Sequence, residues 1–181
     1  MSYSVLIAGE IAAKNIDSLN KFGKAAVAVG NGHVVALGDK SNVKGENDVY
    51  DVNVPATTTL ASDIFYMVNE PVNVLVNGKY SGLTDDPREF NIPAGKKFTM
   101  YKPMVGDEIV ITKDGIDGIK DDPSLSTPNT YVVPSDGSTK LTWKDATNIG
   151  NVSLAYKYVG NTYVSIGNER VKAYRFICVK A

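Results

Sequence analysis

The side chains of this chain with the most to offer chemically are one imidazole, one thiol and two clusters of acids. His33 is the sole histidine, so any mechanism that moves a proton through imidazole must use it. A Ser-His-Asp or Cys-His arrangement could be assembled around it. No G-x-S-x-G elbow exists to present a strained serine, however. His33 lies between Asn31-Gly32 and Val34-Val35, at a hairpin tip or strand start, and reads as a solvated turn histidine. Cys178 stands among Phe176, Ile177 and Val179, the setting of a thiol that packs as a small hydrophobe. A reactive thiolate needs positive charge beside it, and strand alternation turns Arg175 to the opposite face.

The acidic clusters invite two readings. Asp114, Asp117, Asp121 and Asp122 surround Gly115 and Gly118, and oxygen ligands on a glycine-rich loop are what Ca²⁺ prefers. Their spacing is not D-x-[DN]-x-[DN]-G and no glutamate closes a loop of about twelve residues, which favours a solvated loop. Asp85, Asp86 and Glu89 could pose as an acid/base pair, but Asp85-Asp86-Pro87 is better explained by turn chemistry. The chain has no nucleotide-binding glycine fingerprint and no H-E-x-x-H, so no catalytic, cofactor or metal residue is assigned. Tyr156, Tyr158, Tyr163 and Tyr174 could form a stacking platform for sugars or bases; as core and cross-strand packing they need no ligand.

Composition narrows the classes further. The 181 residues suffice for one ordinary domain or two small ones. Lys plus Arg is 19 against 20 for Asp plus Glu, which argues against a partner that demands concentrated positive charge, whether nucleic acid or an anionic membrane. One Cys and one His exclude an internal disulfide framework and a zinc site of several Cys and His. No window approaches the roughly 20 apolar residues of a membrane span, and Val5–Ala8 is too short for the core of a signal peptide. The expectation is a soluble protein made in a cytoplasm.

The elements follow from periodicity. In residues 11–28, Ile11, Ala12, Ile16 and Leu19 recur at helical spacing, while Asn15, Asn20 and Gly23 oppose a helix. A short helix and an extended arm that orders against a partner both stand open. Gly30-Asn31-Gly32 between Ala25–Val29 and Val34–Leu37 reads as a hairpin. Val49–Val54 follows as a strand. Beyond it the chain is strongly β: Asp63–Glu70, Val72–Val76 with the Asn77-Gly78 turn, Glu89–Ile92, Lys96–Tyr101, Glu108–Thr112, Thr130–Val133, Thr139–Trp143, Val152–Val159 joined by Gly160-Asn161 to Thr162–Ile166, and Val171–Val179. Residues 113–130 read as a long surface loop. About ten short strands at this spacing predict a mainly β protein, a β-sandwich or barrel-like body with an N-terminal arm or short helix. The division expected is 1–55, arm plus small hairpin, and 56–181, β-rich domain.

Three stretches carry a resemblance: AGEIAAKNIDSLNKFGKAAVAVGNGHVVALGD, FYMVNEPVNVLVNGKYSGLTDDPREFNIPAGKKFTMYKPMVGDEIVIT and SIGNERVKAYRFICVKA. Together they give the chain the texture of a tailed-bacteriophage virion protein, and it most resembles a head decoration (cement) protein or related minor capsid protein. That resemblance implies a non-enzymatic chain without cofactor that binds the outside of a major capsid protein lattice, as a homo-oligomer on the capsid surface of the virion. It departs from the small lambda-like decoration proteins by an extra β-rich half. Ser2–Phe22 is the segment expected to meet the capsid or a sister subunit. The rival expectations are a carbohydrate- or receptor-binding β-domain of a virion fibre or surface protein, a small β-fold hydrolase, and a major capsid subunit.

Overall fold

The computed structural model describes residues 4–71, 75–76, 79–80, 86–119, 130–145 and 149–181. The chain is mainly β, and its strands are β1 (Leu6–Glu10), β2 (Asn20–Ala25), β3 (Val34–Lys40), β4 (Val49–Asn53), β5 (Phe65–Val68), β6 (Leu75–Val76), β7 (Lys79–Tyr80), β8 (Lys97–Tyr101), β9 (Glu108–Thr112), β10 (Ile116–Asp117), β11 (Thr130–Ser135), β12 (Ser138–Asp145), β13 (Ala155–Ile166) and β14 (Glu169–Lys180). Two bodies result. Strands β2-β4-β3-β5-β8 close into a barrel, and β1-β9-β14-β13-β11-β12-β10 form an open seven-stranded sheet. Strands β6 and β7 pair with each other on either side of Asn77-Gly78, which itself lies outside the described residues.

Alternation decides which face of each barrel strand goes where. Val35, Tyr66, Val68, Phe98 and Met100 point into the barrel with Ala25, Val29 and Val52. Val34, Ala36, Phe65, Met67 and Tyr101 point out of it, onto the seven-stranded sheet. The start of β3 and all of β5 are therefore buried on both faces, which is why VVAL and FYMV run as unbroken apolar blocks, whereas β8, KFTMY, alternates and meets the sheet only through Tyr101. The sheet answers with Ile109, Ile111, Val132, Leu141, Trp143, Tyr156, Tyr158, Tyr174, Phe176 and Cys178, all in the same core. Trp143, Tyr158 and Phe176 meet edge to face at centroid distances of 5.4, 5.9 and 6.3 Å.

Several expectations are corrected. Strands β2 and β3 do not form a hairpin: β2 pairs with β4 and β8, and β3 with β4 and β5. Gly30-Asn31-Gly32 turns, but the Asn31 amide reaches to β5's end instead, donating to Glu70 O at 2.9 Å and accepting from Glu70 N at 2.7 Å. In residues 11–28 the short helix expected as one alternative is reduced to two 3-10 turns, and the other alternative, an extended arm, is not what the backbone forms. Two 3-10 turns, Ala12–Lys14 and Asp17–Leu19, lead straight into β2, and Ile11 and Ala13 are core residues. The boundary expected between residues 55 and 56 falls between β4 and β5, two strands of one barrel. Glu89–Ile92 is a 3-10 turn, Pro87–Glu89, followed by a single bridge from Ile92 to Val29. The expected loop 113–130 opens with a 3-10 turn and β10, whose Ile116 is buried; residues 120–129 lie outside the described set.

The expected turn at Gly160-Asn161 is a correction of a different kind. β13 runs through it as one strand of 12 residues, with a bulge between Tyr158 and Gly160. The chain reverses at the next Gly-Asn pair, Gly167-Asn168, where Gly167 adopts φ 56° between the paired Ile166 and Glu169.

Candidate functional site

The seam between barrel and sheet holds the residues with the richest chemistry. His33 precedes β3 and is only 8% exposed, so it is not the solvated turn residue its neighbours suggest. Its Nδ1 lies 2.8 Å from the Thr139 hydroxyl on β12. Gly30 lies against the Nε2 side of the ring, where a Cβ would stand 3.3 Å from it, and the Ser4 hydroxyl nearby donates to the Asn31 carbonyl. Burial pushes the imidazole down to about 4; the Lys140 charge adds to that and the Asp117 charge opposes it. The ring is therefore neutral at pH 7. A cavity of about 300 Å³ opens beside it, lined among others by Val27, Val54, Asp117, Ser138 and Lys140.

A hydroxyl on a neutral imidazole has the outline of a nucleophile and its base, but the electrostatics run against that use. A base with a pKa near 4 is a weak acceptor for a hydroxyl proton at pH 7. The acid whose charge reaches the ring is engaged elsewhere: Asp117 Oδ2 accepts from the Ser138 hydroxyl at 2.8 Å, and Lys140 Nζ stands 3.9 Å from its other oxygen. What the arrangement does is hold the barrel's entry to β3 against β12 of the sheet.

Cys178 and Asp86 are likewise engaged within the chain. Cys178 is buried in the shared core, its thiol pushed up to about 12 chiefly by burial, and Sγ donates to Lys180 O at 3.3 Å. Asp86 accepts from Arg88 N at 2.8 Å and caps the 3-10 turn, as turn chemistry predicts. Its carboxylate is held below the usual range by the Arg88 guanidinium, which also reaches Glu169 at 2.7 Å. Glu89 follows in the same turn, and Asp85 lies outside the described residues. Asp114 sits in the 3-10 turn before β10, while Asp121 and Asp122 lie outside the described residues. Among the described residues no three His, Cys, Asp or Glu side chains gather as metal ligands would. Tyr156, Tyr158 and Tyr174 are buried in the core; Tyr163 alone of that quartet is exposed, with the Arg170 guanidinium 4.9 Å above its ring.

Two positions carry weight that sequence reading did not assign. Asp107 is 4% exposed; one carboxylate oxygen accepts from Ala12 N at 2.8 Å and the other from Met104 N at 2.9 Å. It thereby binds the leading segment to the turn before β9. Pro103 and Gly106 signal a turn around it in the sequence, but nothing local signals its partner Ala12. Thr139 has no local signal at all, since His33 is 106 residues away. Among the described residues no helix is long and apolar enough to cross a membrane. No protein-family model matches this chain, and no curated protein matches it.

Proposed function

We propose that this chain is a virion structural protein that binds the exterior of a phage capsid lattice and stabilises it. The observation that carries the reading is the leading segment. Its backbone is fixed into both bodies, yet it leaves Ile16 46% and Phe22 51% exposed. Phe22 stands on the outside of the closed barrel beside a mostly apolar groove of about 230 Å³, formed with Asn20, Lys21, Pro71 and Thr99. A rigid apolar surface suits a cement role, because weak contacts repeated over a lattice add up through multivalency. The chemistry-bearing side chains support the same reading, for His33, Asp107 and Cys178 are all spent on internal contacts.

The test is co-sedimentation with expanded and unexpanded empty capsids. Saturable binding to expanded shells is expected, and Phe22→Ser with Ile16→Ser should weaken it at least tenfold without lowering the melting temperature. Absence of binding to either shell would overturn the reading. It would move weight to a glycan-binding surface module, for which exposed Tyr163 beside Arg170 is the feature to probe on a glycan array.

A further inference from the structure

The outer face of the seven-stranded sheet, turned away from the barrel, carries an ordered row of side chains. Register sets it residue by residue: Glu10 pairs with Glu108, Glu108 with Ile177, Ile177 with Lys157, Lys157 with Tyr131, and Tyr131 with Lys144. Paired residues share a face. Inward-facing Ile109, Phe176, Tyr156, Val132 and Trp143 on the same strands confirm that this row points outward. Glu10, Lys157 and Lys144 are exposed, and Glu108, Tyr131 and Ile177 half-buried. At strand spacings of ~4.8 Å the row is about 24 Å long. Both its acids stand at the β1–β9 end and both its lysines at the β13–β12 end. Arg175, 3.5 Å from Glu108, belongs to the next row, with Ile7 and Val110.

A row that is acidic at one end and basic at the other is complementary to itself. We propose that this face is a two-fold interface with a second copy of this chain. A closed two-fold contact uses the same patch on both partners, so the patch must match its own rotated image. With the axis lying between the two faces and parallel to the strands, between β13 and β14, Glu10 comes opposite Lys144 of the second copy. Glu108 comes opposite Tyr131, whose hydroxyl can donate to it, and Ile177 meets the aliphatic stem of Lys157. The row is the part of this face left for a partner: on one side of it Val133 and Ala155 are buried with Val152, Leu60 and Ile149, against which Tyr131 also packs, and on the other Ala173, Val164 and Ile166 are buried with Val5 and Val110. The contact is therefore smaller than a standard interface of about 800 Å² per partner, and the dimer is a weak one. The assembly requires no capsid, so its test is independent of the cement reading.

Sedimentation velocity across concentration, at low and high salt, reads it directly. The native chain should form a dimer whose dissociation constant rises at least tenfold from about 50 mM to about 0.5 M salt, because the opposed charges are screened. The pair Glu10→Lys with Glu108→Lys makes the row basic throughout; Lys144→Glu with Lys157→Glu makes it acidic throughout. Each double variant alone should dissociate at least tenfold more readily, and mixing the two should restore a dimer. A chain monomeric at 100 µM in low salt, a dimer indifferent to salt, or folded variants that fail to pair on mixing would each overturn the proposal.

Discussion

The barrel and the sheet are built from similar strands and solve the problem of the strand edge in opposite ways. Closure leaves the barrel with no edge at all, and its outer wall is used up where β3, β5 and β8 lie under the sheet. The sheet keeps two edges and an outer face that the chain itself covers only in part. One edge, β10, is only two residues long. The other, β1, is irregular between Ile7 and Glu10, and Lys14 Nζ occupies the Gly9 carbonyl at 2.6 Å. Both edges are thus blunted against uncontrolled strand addition, while the face between them keeps an exposed row flanked by two clusters of the chain's own side chains. The barrel acts as the platform, and the sheet retains the surface still free to associate.

The leading segment serves both bodies, so cutting it at two places separates them. Deleting residues 1–10 removes β1 from the sheet and leaves the barrel ring intact. A loss of about 3 kcal/mol is expected, roughly 6–12 °C in melting temperature. Deleting residues 1–22 also removes core residues Ile11 and Ala13 and half of β2, the strand that joins β4 to β8. The ring opens, and the cooperative thermal transition should disappear. A longer deletion that still melted cooperatively near the native temperature would show that closure of the barrel is dispensable.

His33 tests the seam itself. Its imidazole has a pKa of about 4 in the folded chain, against 6.5 when unfolded. Above pH 6.5 both states are neutral and the group has no influence. As pH falls from 6.5 to 4 the unfolded chain takes up a proton that the folded chain refuses, so stability declines, and below 4 the loss levels off. The full loss is about 3 kcal/mol. Denaturant midpoints measured from pH 7.5 to 4 should show this decline in the native chain and a flatter profile in His33→Gln. Equal slopes in the two proteins would mean that the seam does not resist protonation.

What could be read from the amino-acid order, and what could not, divides along the same lines. Strand content was legible because burial writes itself locally: FYMV in β5 and EIVIT in β9 are buried where their residue types predict. Cys178 in the core was legible from alternation alone. Connectivity was not legible. Nothing near Ala25 says that β2 will pair with β8, some 75 residues on, in preference to β3, because that choice is made by barrel closure. The burial of His33 was hidden for the same reason, since Thr139 comes from the other body. The outer row of the sheet draws on six strands far apart in the chain, and its charge order exists only after they have been laid side by side.

Two identical dipeptides give the finest test of this limit. Gly160-Asn161 and Gly167-Asn168 carry the same local turn chemistry, yet only the second is a turn. At Gly167 the backbone is left-handed, φ 56°, where a Cβ is strained whatever the surrounding space. At Gly160 the strand continues through a bulge, φ is not in that region, and nothing stands within 4 Å of where a Cβ would go. Gly167→Ala should therefore cost about 1 kcal/mol in urea unfolding, and Gly160→Ala about 0.5 kcal/mol or less. The physical difference between the two sites lies in the partner strand. Reversal at residue 167 lets all of β13 from Ala155 to Ile166 pair with β14, whereas reversal at 160 would strip Val164 and Ile166 of the pairing that buries them with Ala173. If the two substitutions proved equally costly, the bulge at Gly160 would need a backbone strain that its geometry does not contain.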